Sequence, residues 1–496
     1  MSAPASFLYT PAAVREIDRI AIEDIGIPDF ELMGRAGRLV WDTARQLYPD
    51  SRRWLLLCGA GNNGGDGYVV ATLARAAGLA VTVAALADPQ RLRGAAARAW
   101  EQYRSAGGDV VQFRDDLLAG TDLVIDAIFG TGLARDLDDA CRQAVEAVNA
   151  ASVPVVAVDL PSGLDGASGR VLGAAMRADV TVTFIGRKQG LYLGAGPDHA
   201  GNIVFGDLGV PPARVAQVAP GLRLFDGNDL SRLLPRRARS AHKGNFGHVL
   251  VVGGNHGMAG AVRLAGEAAL RAGAGLVSVA TRPENVAPVI AGRPELMCRG
   301  VQGPVDLEDL LRRATVIAVG PGLGMDAWAR NLLAALLDQP QPLVVDADAL
   351  NLLAGQSRRR GNWVLTPHPG EAAHLLGTGN AQVQSDRLQA MADICQRHGG
   401  VVVLKGRGTL VGRSGDLPYL IDAGNPGMAS AGMGDVLTGI IAGIVAQQRP
   451  DQLLDAAACA AFVHASAADD AARTGERGLI AGDLFTSLRA WINPKP

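Results

Sequence analysis

Short continuous apolar runs, separated by segments of helical spacing, dominate the chain. Val14, Ile17, Ile20 and Ala21 form a helical stripe behind Thr10-Pro11, an N-cap followed by a first-turn proline. A second helix is expected over Phe30 to Tyr48. The run Trp54 to Cys58 then reads as a buried parallel strand, and similar runs recur at Val81–Leu86, Leu123–Ile128, Val153–Val158 and Val180–Ile185. Helical spacing lies between them, as in Val69–Ala77 and Cys141–Asn149. This alternation predicts a parallel sheet with helices on both faces. It weakens between about Gly196 and Asn245, which places a boundary near residues 215–235. It restarts at His248–Val252, with strands expected at Leu276–Ala280, Val316–Val319, Leu343–Val345, Trp363–Thr366, Val401–Leu404 and Thr409–Gly412. The fold class is therefore α/β, in two domains over residues 1–225 and 226–496.

Composition narrows the class. The 496 residues include 63 glycines, nearly twice the usual ~7% share, but only 10 Phe, 6 Trp and 6 Tyr. The glycines lack a period of three, which excludes collagen. Apolar content and a net charge of −2 exclude disorder and offer no field for nucleic acid or anionic lipid. No apolar run is long enough for a membrane span, and Met1 to Thr10 lacks the pattern of a signal peptide, so a cytoplasmic protein is expected. Cys58, Cys141, Cys298, Cys395 and Cys459 are scattered without C-x-x-C spacing, which fits structural thiols in a reducing compartment.

The glycines cluster after strands. Cys58 to Gly67 follows one strand and opens a helix; Gly59, Gly61 and Gly64 satisfy G-x-G-x-x-G, joined by Asn62, Asn63 and Asp66. A carboxylate there repels a pyrophosphate unless the ligand offers hydroxyl or amide groups. Two further strands end in Asp126 and Asp159, the latter running into Leu160-Pro161-Ser162-Gly163. Ligands bind at the carboxyl ends of such strands, so Asn62, Asn63, Asp126, Asp159 and Ser162 converge on one crevice. Their oxygens suit a hard cation better than zinc. Asp159 is a candidate general acid/base; the alternative is that each Asp only caps a turn.

In the second half, Asn425 to Asp435 places glycine amides before an apolar helix, an anion hole with Asp435 as candidate base at its rim. Lys405-Gly406-Arg407-Gly408-Thr409 offers a cation and amides to a nucleotide phosphate, without P-loop spacing. Asp346 and Asp348 are candidates to organise Mg²⁺ through water. Gly320–Gly324 and Gly257–Ala261 allow close backbone approach of a flat ligand. His368, Glu371 and His374 lack zinc-site order.

With these motifs in this order, the second half resembles the ribokinase superfamily and, more narrowly, the ADP-dependent NAD(P)H-hydrate dehydratases. The first half resembles the NAD(P)H-hydrate epimerases, and the fused order resembles the bifunctional NAD(P)H-hydrate repair enzymes. The resemblance implies a Rossmann-like and a ribokinase-like three-layer αβα domain. It implies substrate contacts at Asn62, Asn63, Gly64, Gly65, Asp66, Gly130, Thr131, Gly132, Leu133, Ala134, Arg135, Asp136 and Asp159 in one half, and at Ala261, Gly322, Gly324, His368 and Asp435 in the other. K⁺ would sit on Asn63, Asp126 and Ser162. The co-substrate ADP, with Mg²⁺, would sit on Lys405, Gly406, Arg407, Gly408, Thr409 and Gly434. Asp159 and Asp435 would be catalytic, and the chain a homo-oligomer. Leu32-Met33-Gly34-Arg35-Ala36-Gly37 departs from the family at Arg35, where many members carry Asn. Two rivals remain at this stage: a small-molecule kinase of a vitamin or sugar fused to a ligand-binding domain, and a first half that is only an interaction module.

Overall fold

The computed structural model describes residues 6–493. The expectation for Met1 to Thr10 therefore lies partly outside the described residues. The chain divides into two compact units between Leu222 and Arg223.

Among the described residues of the first unit, seven parallel strands lie in the spatial order Val110–Val111, Ala80–Ala85, Arg53–Cys58, Leu123–Ala127, Val155–Val158, Val180–Phe184, Asn202–Gly206. Chain order reverses between Arg53–Cys58 and Leu123–Ala127, the switch point where a crevice opens at the strand ends. Both faces are covered. Trp54, Leu56 and Cys58 pack into one cluster with Val40, Val70 and Ala99; Leu55 and Leu57 pack into another with Cys141, Val145 and Val148. Two-sided burial explains why these strands read as unbroken apolar runs. Asn202–Gly206 is the edge strand, in the stretch where the pattern fades; it is half-exposed, so it lacks a continuous apolar signature. Apart from this sheet, Phe7–Tyr9 pairs with Arg187–Lys188, with Tyr9 opposite Lys188.

In the second unit the order is Met297–Gly300, Leu276–Thr281, His248–Val252, Val316–Val319, Leu343–Val345, Trp363–Leu365, Val401–Leu404, Thr409–Arg413, Tyr419–Ile421. The first seven are parallel; Thr409–Arg413 runs antiparallel to them, and Tyr419–Ile421, antiparallel to it, runs in their direction again. Met297–Gly300 and Tyr419–Ile421 escape a reading of apolar runs because they are short and, in the first case, exposed at the edge. Arg223 and Leu224 lie beside Tyr419 and Leu420. The helices Ala259–Arg271, Met433–Val445 and Leu453–Ala471 share a core with one sheet face. Leu250, Val252, Ile317 and Val319, facing the other way, are equally buried. No helix among the described residues is long and apolar enough to cross a membrane. All five cysteines are free, and all but Cys298 are buried.

One correction concerns the first glycine motif. The helix after Arg53–Cys58 begins at Asn62, so Asn62 to Asp66 form its first turns rather than a loop ahead of it. Glycine is a poor helix former, but contact demands it here. A Cβ on Gly64 would stand 2.1 Å from the Gly59 carbonyl oxygen, and one on Gly65 would stand 2.6 Å from Met33.

Candidate active sites

The first site lies at the switch point of the first unit. Asp126 ends its strand fully buried. Its carboxylate accepts from the Ser162 hydroxyl at 2.6 Å, the Ser162 amide at 2.8 Å and the Ile128 amide at 3.3 Å. Burial outweighs these bonds and pushes the Asp126 carboxyl up to about 6. The Ser162 hydroxyl also accepts from the Phe129 amide at 2.9 Å. Asp126, Ser162 and the Phe129 carbonyl thus group oxygens around a carboxylate with no cation to balance it, a donor set suited to a hard monovalent ion. Asn63 lies close by: a Cβ on Gly130 would sit 3.0 Å from Asn63 Oδ1 and 3.2 Å from Asp159 Oδ2. Gly130 therefore marks where Asn63 and Asp159 converge. Asn63 Nδ2 is buried and without a partner among the described residues.

Asp159 follows its strand with φ 66°, a conformation that costs a non-glycine residue about 1–3 kcal/mol and persists where the surroundings enforce it. Two neighbours hold its side chain. Lys188 Nζ donates to Asp159 Oδ1, Thr183 donates to the same oxygen at 3.2 Å, and Lys188 also donates to the Phe184 carbonyl at 2.9 Å. Oδ2 is left facing Asn63 and Gly130. Lys188 is 1% exposed. Single-sequence reading passed over it, since a lone lysine on a two-residue strand carries no pattern. Its neighbours Arg187 and Gln189 are polar as well, so nothing in the sequence set it apart.

Asp66 belongs to the same charge cluster. Burial, with the Asp159 and Asp18 carboxylates, drives its carboxyl well above the usual range, against the pull of Lys188. The shift favours its neutral form over the usual carboxylate. A neutral Asp66 would repel a ligand phosphate less than the carboxylate expected at this turn. Asp18, also missed, is pushed up to about 6 by burial. Arg15 donates to the Thr131 carbonyl at 3.1 Å, which ties the first helix to the Gly130–Asp136 loop.

The second site surrounds the start of Met433–Val445. Its N-cap, Gly432, has φ +87°, and Asp435 lies in the first turn. Burial raises the Asp435 carboxyl to about 7, helped by Asp346 and Asp348 and opposed by Lys405. Asp346 and Lys405 are spent on each other: Lys405 Nζ donates to Asp346 Oδ1 at 2.8 Å and lies 3.6 Å from Glu371. Thr366 and Thr438 complete the Asp346 carboxylate at 2.7 and 2.8 Å. Burial pulls the Lys405 ammonium down, and Asp346 and Glu371 outweigh it, leaving it raised. Lys405 is thus a half-buried strut for Asp346, whose Oδ2 carries only the one bond from Thr438. Asp348 instead accepts the Gly324 amide at 2.7 Å.

His368 caps the helix Pro369–Leu376. Its Nδ1 accepts from the Gly370 and Glu371 amides at 3.0 and 3.3 Å, so Nε2 carries the proton, and it lies 3.4 Å from Glu371 Oε1. Gly322 abuts Met258 and Ala261, where a Cβ would sit 2.7 and 3.2 Å from their side chains. Gly434 faces Lys405 and Asp346. Arg407 donates to the Gly424 carbonyl at 2.9 Å, joining the Lys405–Thr409 loop to the Asn425–Asp435 turn. Ser430 Oγ in that turn is buried without a partner among the described residues, as Asn63 is in the first site.

Two family profiles match the chain, one described as NAD(P)H-hydrate dehydratase over residues 249–489 and one as YjeF-related protein N-terminus over residues 29–190. The bifunctional NAD(P)H-hydrate repair enzyme of Coxiella burnetii is 46% identical over 489 residues, spanning 98% of this chain and 99% of that protein. Its counterpart in Escherichia coli is 45% identical over 483 residues, spanning 97% and 93%. Among solved structures, a ribokinase-like superfamily protein from Enterococcus faecalis matches with a TM-score of 0.51 at 33% identity, covering 55% of this chain and 95% of that one. With similarity running almost end to end through both halves, the chain belongs to the family of bifunctional NAD(P)H-hydrate repair enzymes.

Proposed function

We propose that the chain restores hydrated NADH and NADPH in two reactions, one in each of the domains 1–225 and 226–496. The first site inverts C6 of the hydrated ring and the second removes the water using ADP. The observation that carries the reading is Asp435, held near neutrality at the first turn of a helix whose glycine-rich entry leaves amides free for phosphate.

In the second site, Asp435 takes the proton of the C6 hydroxyl as that oxygen attacks the β-phosphorus of ADP. The bond to the α-phosphate oxygen breaks and AMP leaves. The ring nitrogen then pushes out phosphate, a far better leaving group than hydroxide, and loss of a proton from C5 regenerates the reduced nicotinamide. First-turn amides near Gly434 and the Lys405–Thr409 loop bind the nucleotide, and Ala261, Gly322, Gly324 and His368 bind the hydrate. Mg²⁺ would enter with the nucleotide and neutralise its phosphates, within reach of Asp348.

In the first site, Asp159 Oδ2 takes and returns the proton of the C6 hydroxyl as the C6–N1 bond opens and recloses on the other face. Asp66, with Asn62 to Gly65 and Gly130 to Asp136, binds the nucleotide. Asn63, Asp126 and Ser162 would hold K⁺, whose charge balances Asp126 and steadies the adjoining turn.

The test is to incubate the full chain with mixed R and S hydrates of NADH and with ADP, then ATP, following recovery of the reduced nicotinamide absorbance and release of inorganic phosphate. Complete recovery supports both halves. Recovery that stops at the S form rejects the epimerase reading, and a stable phosphorylated product without phosphate release rejects the dehydratase reading.

A further inference from the structure

Arg387, the first residue of the helix Arg387–His398, is 7% exposed, and no carboxylate acts on it. A buried guanidinium without a counter-charge is costly unless its donors are all met. Here both terminal nitrogens are met by backbone from one short segment, while Nε is buried without a partner among the described residues. One terminal nitrogen donates to the carbonyls of Arg407 and, at 3.0 Å, Gly408; the other donates to those of Leu404 and Lys405 at 3.1 and 3.2 Å. The remaining carbonyl, that of Gly406, accepts from the Thr409 hydroxyl at 3.1 Å. Four of the five carbonyls from Leu404 to Gly408 are thus turned onto Arg387.

The amides show the complementary pattern. Lys405 donates to the Pro367 carbonyl at 2.9 Å, but the amides of Gly406, Arg407 and Gly408 have no acceptor among the described residues. Gly406 and Arg407 are exposed and Gly408 is buried, so three adjacent amides stand open at the surface, a nest suited to a ligand rich in acceptors. Gly406 and Gly408 have φ +137° and +64°, which lets the peptide planes turn this way. The fit is close: a Cβ on Gly406 would stand 3.0 Å from the guanidinium. Beneath the cradle lies a positive charge that no carboxylate cancels, which favours an anion above.

We propose that Arg387 is a positioning residue that shapes Lys405–Thr409 into an amide cradle for the diphosphate of the nucleotide. The inference rests on the reading of that loop as the nucleotide site. Arg387 never touches the ligand; it acts by gathering the carbonyls.

The experiment compares Arg387→Met and Arg387→Lys with the parent full chain. It measures KM for ADP and for the hydrate, amide hydrogen exchange by mass spectrometry, and the epimerase rate as a folding control in the same chain. Arg387→Met raises the KM for ADP about tenfold or more, with the KM for the hydrate within about twofold, as expected when a charged donor is lost from several acceptors. Exchange quickens at residues 404–409, and Arg387→Lys, which keeps the charge, lies between. Should Arg387→Met not fold, Arg387→Lys and Gly406→Ala, which crowds the guanidinium from the loop side, decide in its place. Equal rises in both KM values, or unchanged exchange at residues 404–409, overturn the proposal. Gly408→Val separates the two levels. If it leaves the KM for ADP unchanged, the loop is not the nucleotide site and both readings fall. If it raises that KM while the Arg387 variants do not, only the role of Arg387 falls.

Discussion

Each site turns on a carboxyl whose surroundings set its charge. Asp435 is raised from 3.8 to about 7, so it is an effective base only when the pH passes that value. Dehydration by the parent chain should rise with pH and reach half its plateau near 7, measured as kcat/KM for the S hydrate. The same shift has a stability consequence. Between 3.8 and about 7 the folded chain holds a proton that the unfolded chain releases, so stability falls as pH rises through that window. Asp435→Asn should therefore melt higher than the parent at pH 8, not at pH 3, while losing dehydration at least ~100-fold. In the first site, Lys188→Met strands the buried Asp159 and should cost about 3–5 kcal/mol in urea unfolding. Adding Asp159→Leu should recover much of that stability and none of the epimerase activity. Unchanged epimerase activity in Lys188→Met would remove Lys188 from the site.

The elements explain why the chemistry-bearing residues could be named before their neighbours were known. A buried parallel strand is an unbroken apolar run, so Asp126 and Asp159 stood out as the first polar residues at its end. The glycines after Arg53–Cys58 were equally visible, but their placement in helix was not. Only the 2.1 Å approach of a Gly64 Cβ to the Gly59 carbonyl shows that the helix starts early and lies against the strand end. Gly64→Ala should push that helix away, lowering stability by about 1–3 kcal/mol and weakening hydrate binding in the epimerase assay. Lys188, Asp18 and Arg387 carried no such mark. Their roles come from partners 29, 141 and 17–21 positions away, and a side chain's charge says nothing about which distant backbone it will meet.

For the whole molecule, the division between Leu222 and Arg223 has a measurable edge. Arg223 and Leu224 run along Tyr419–Ile421, and Phe225 packs against Tyr419 and Phe462 with ring centroids 5.6 and 5.3 Å apart. A fragment of residues 223–496 should dehydrate the S hydrate on its own. One of residues 226–496 should be less stable by about 3–5 kcal/mol, the scale of losing a buried phenylalanine, as read by thermal melting. The sequence by itself determined the two α/β halves, the strand ends that carry acids and the glycine-rich turns, because burial on both sheet faces and close backbone approach impose composition locally. The tertiary structure alone decided that Lys405 is a strut for Asp346, that burial and two neighbouring carboxylates raise the Asp66 carboxyl, and that Arg387 meets the carbonyls of a remote loop. Charge state and hydrogen-bond partner depend on burial and on distances between segments remote along the chain, and these exist only once the chain has folded.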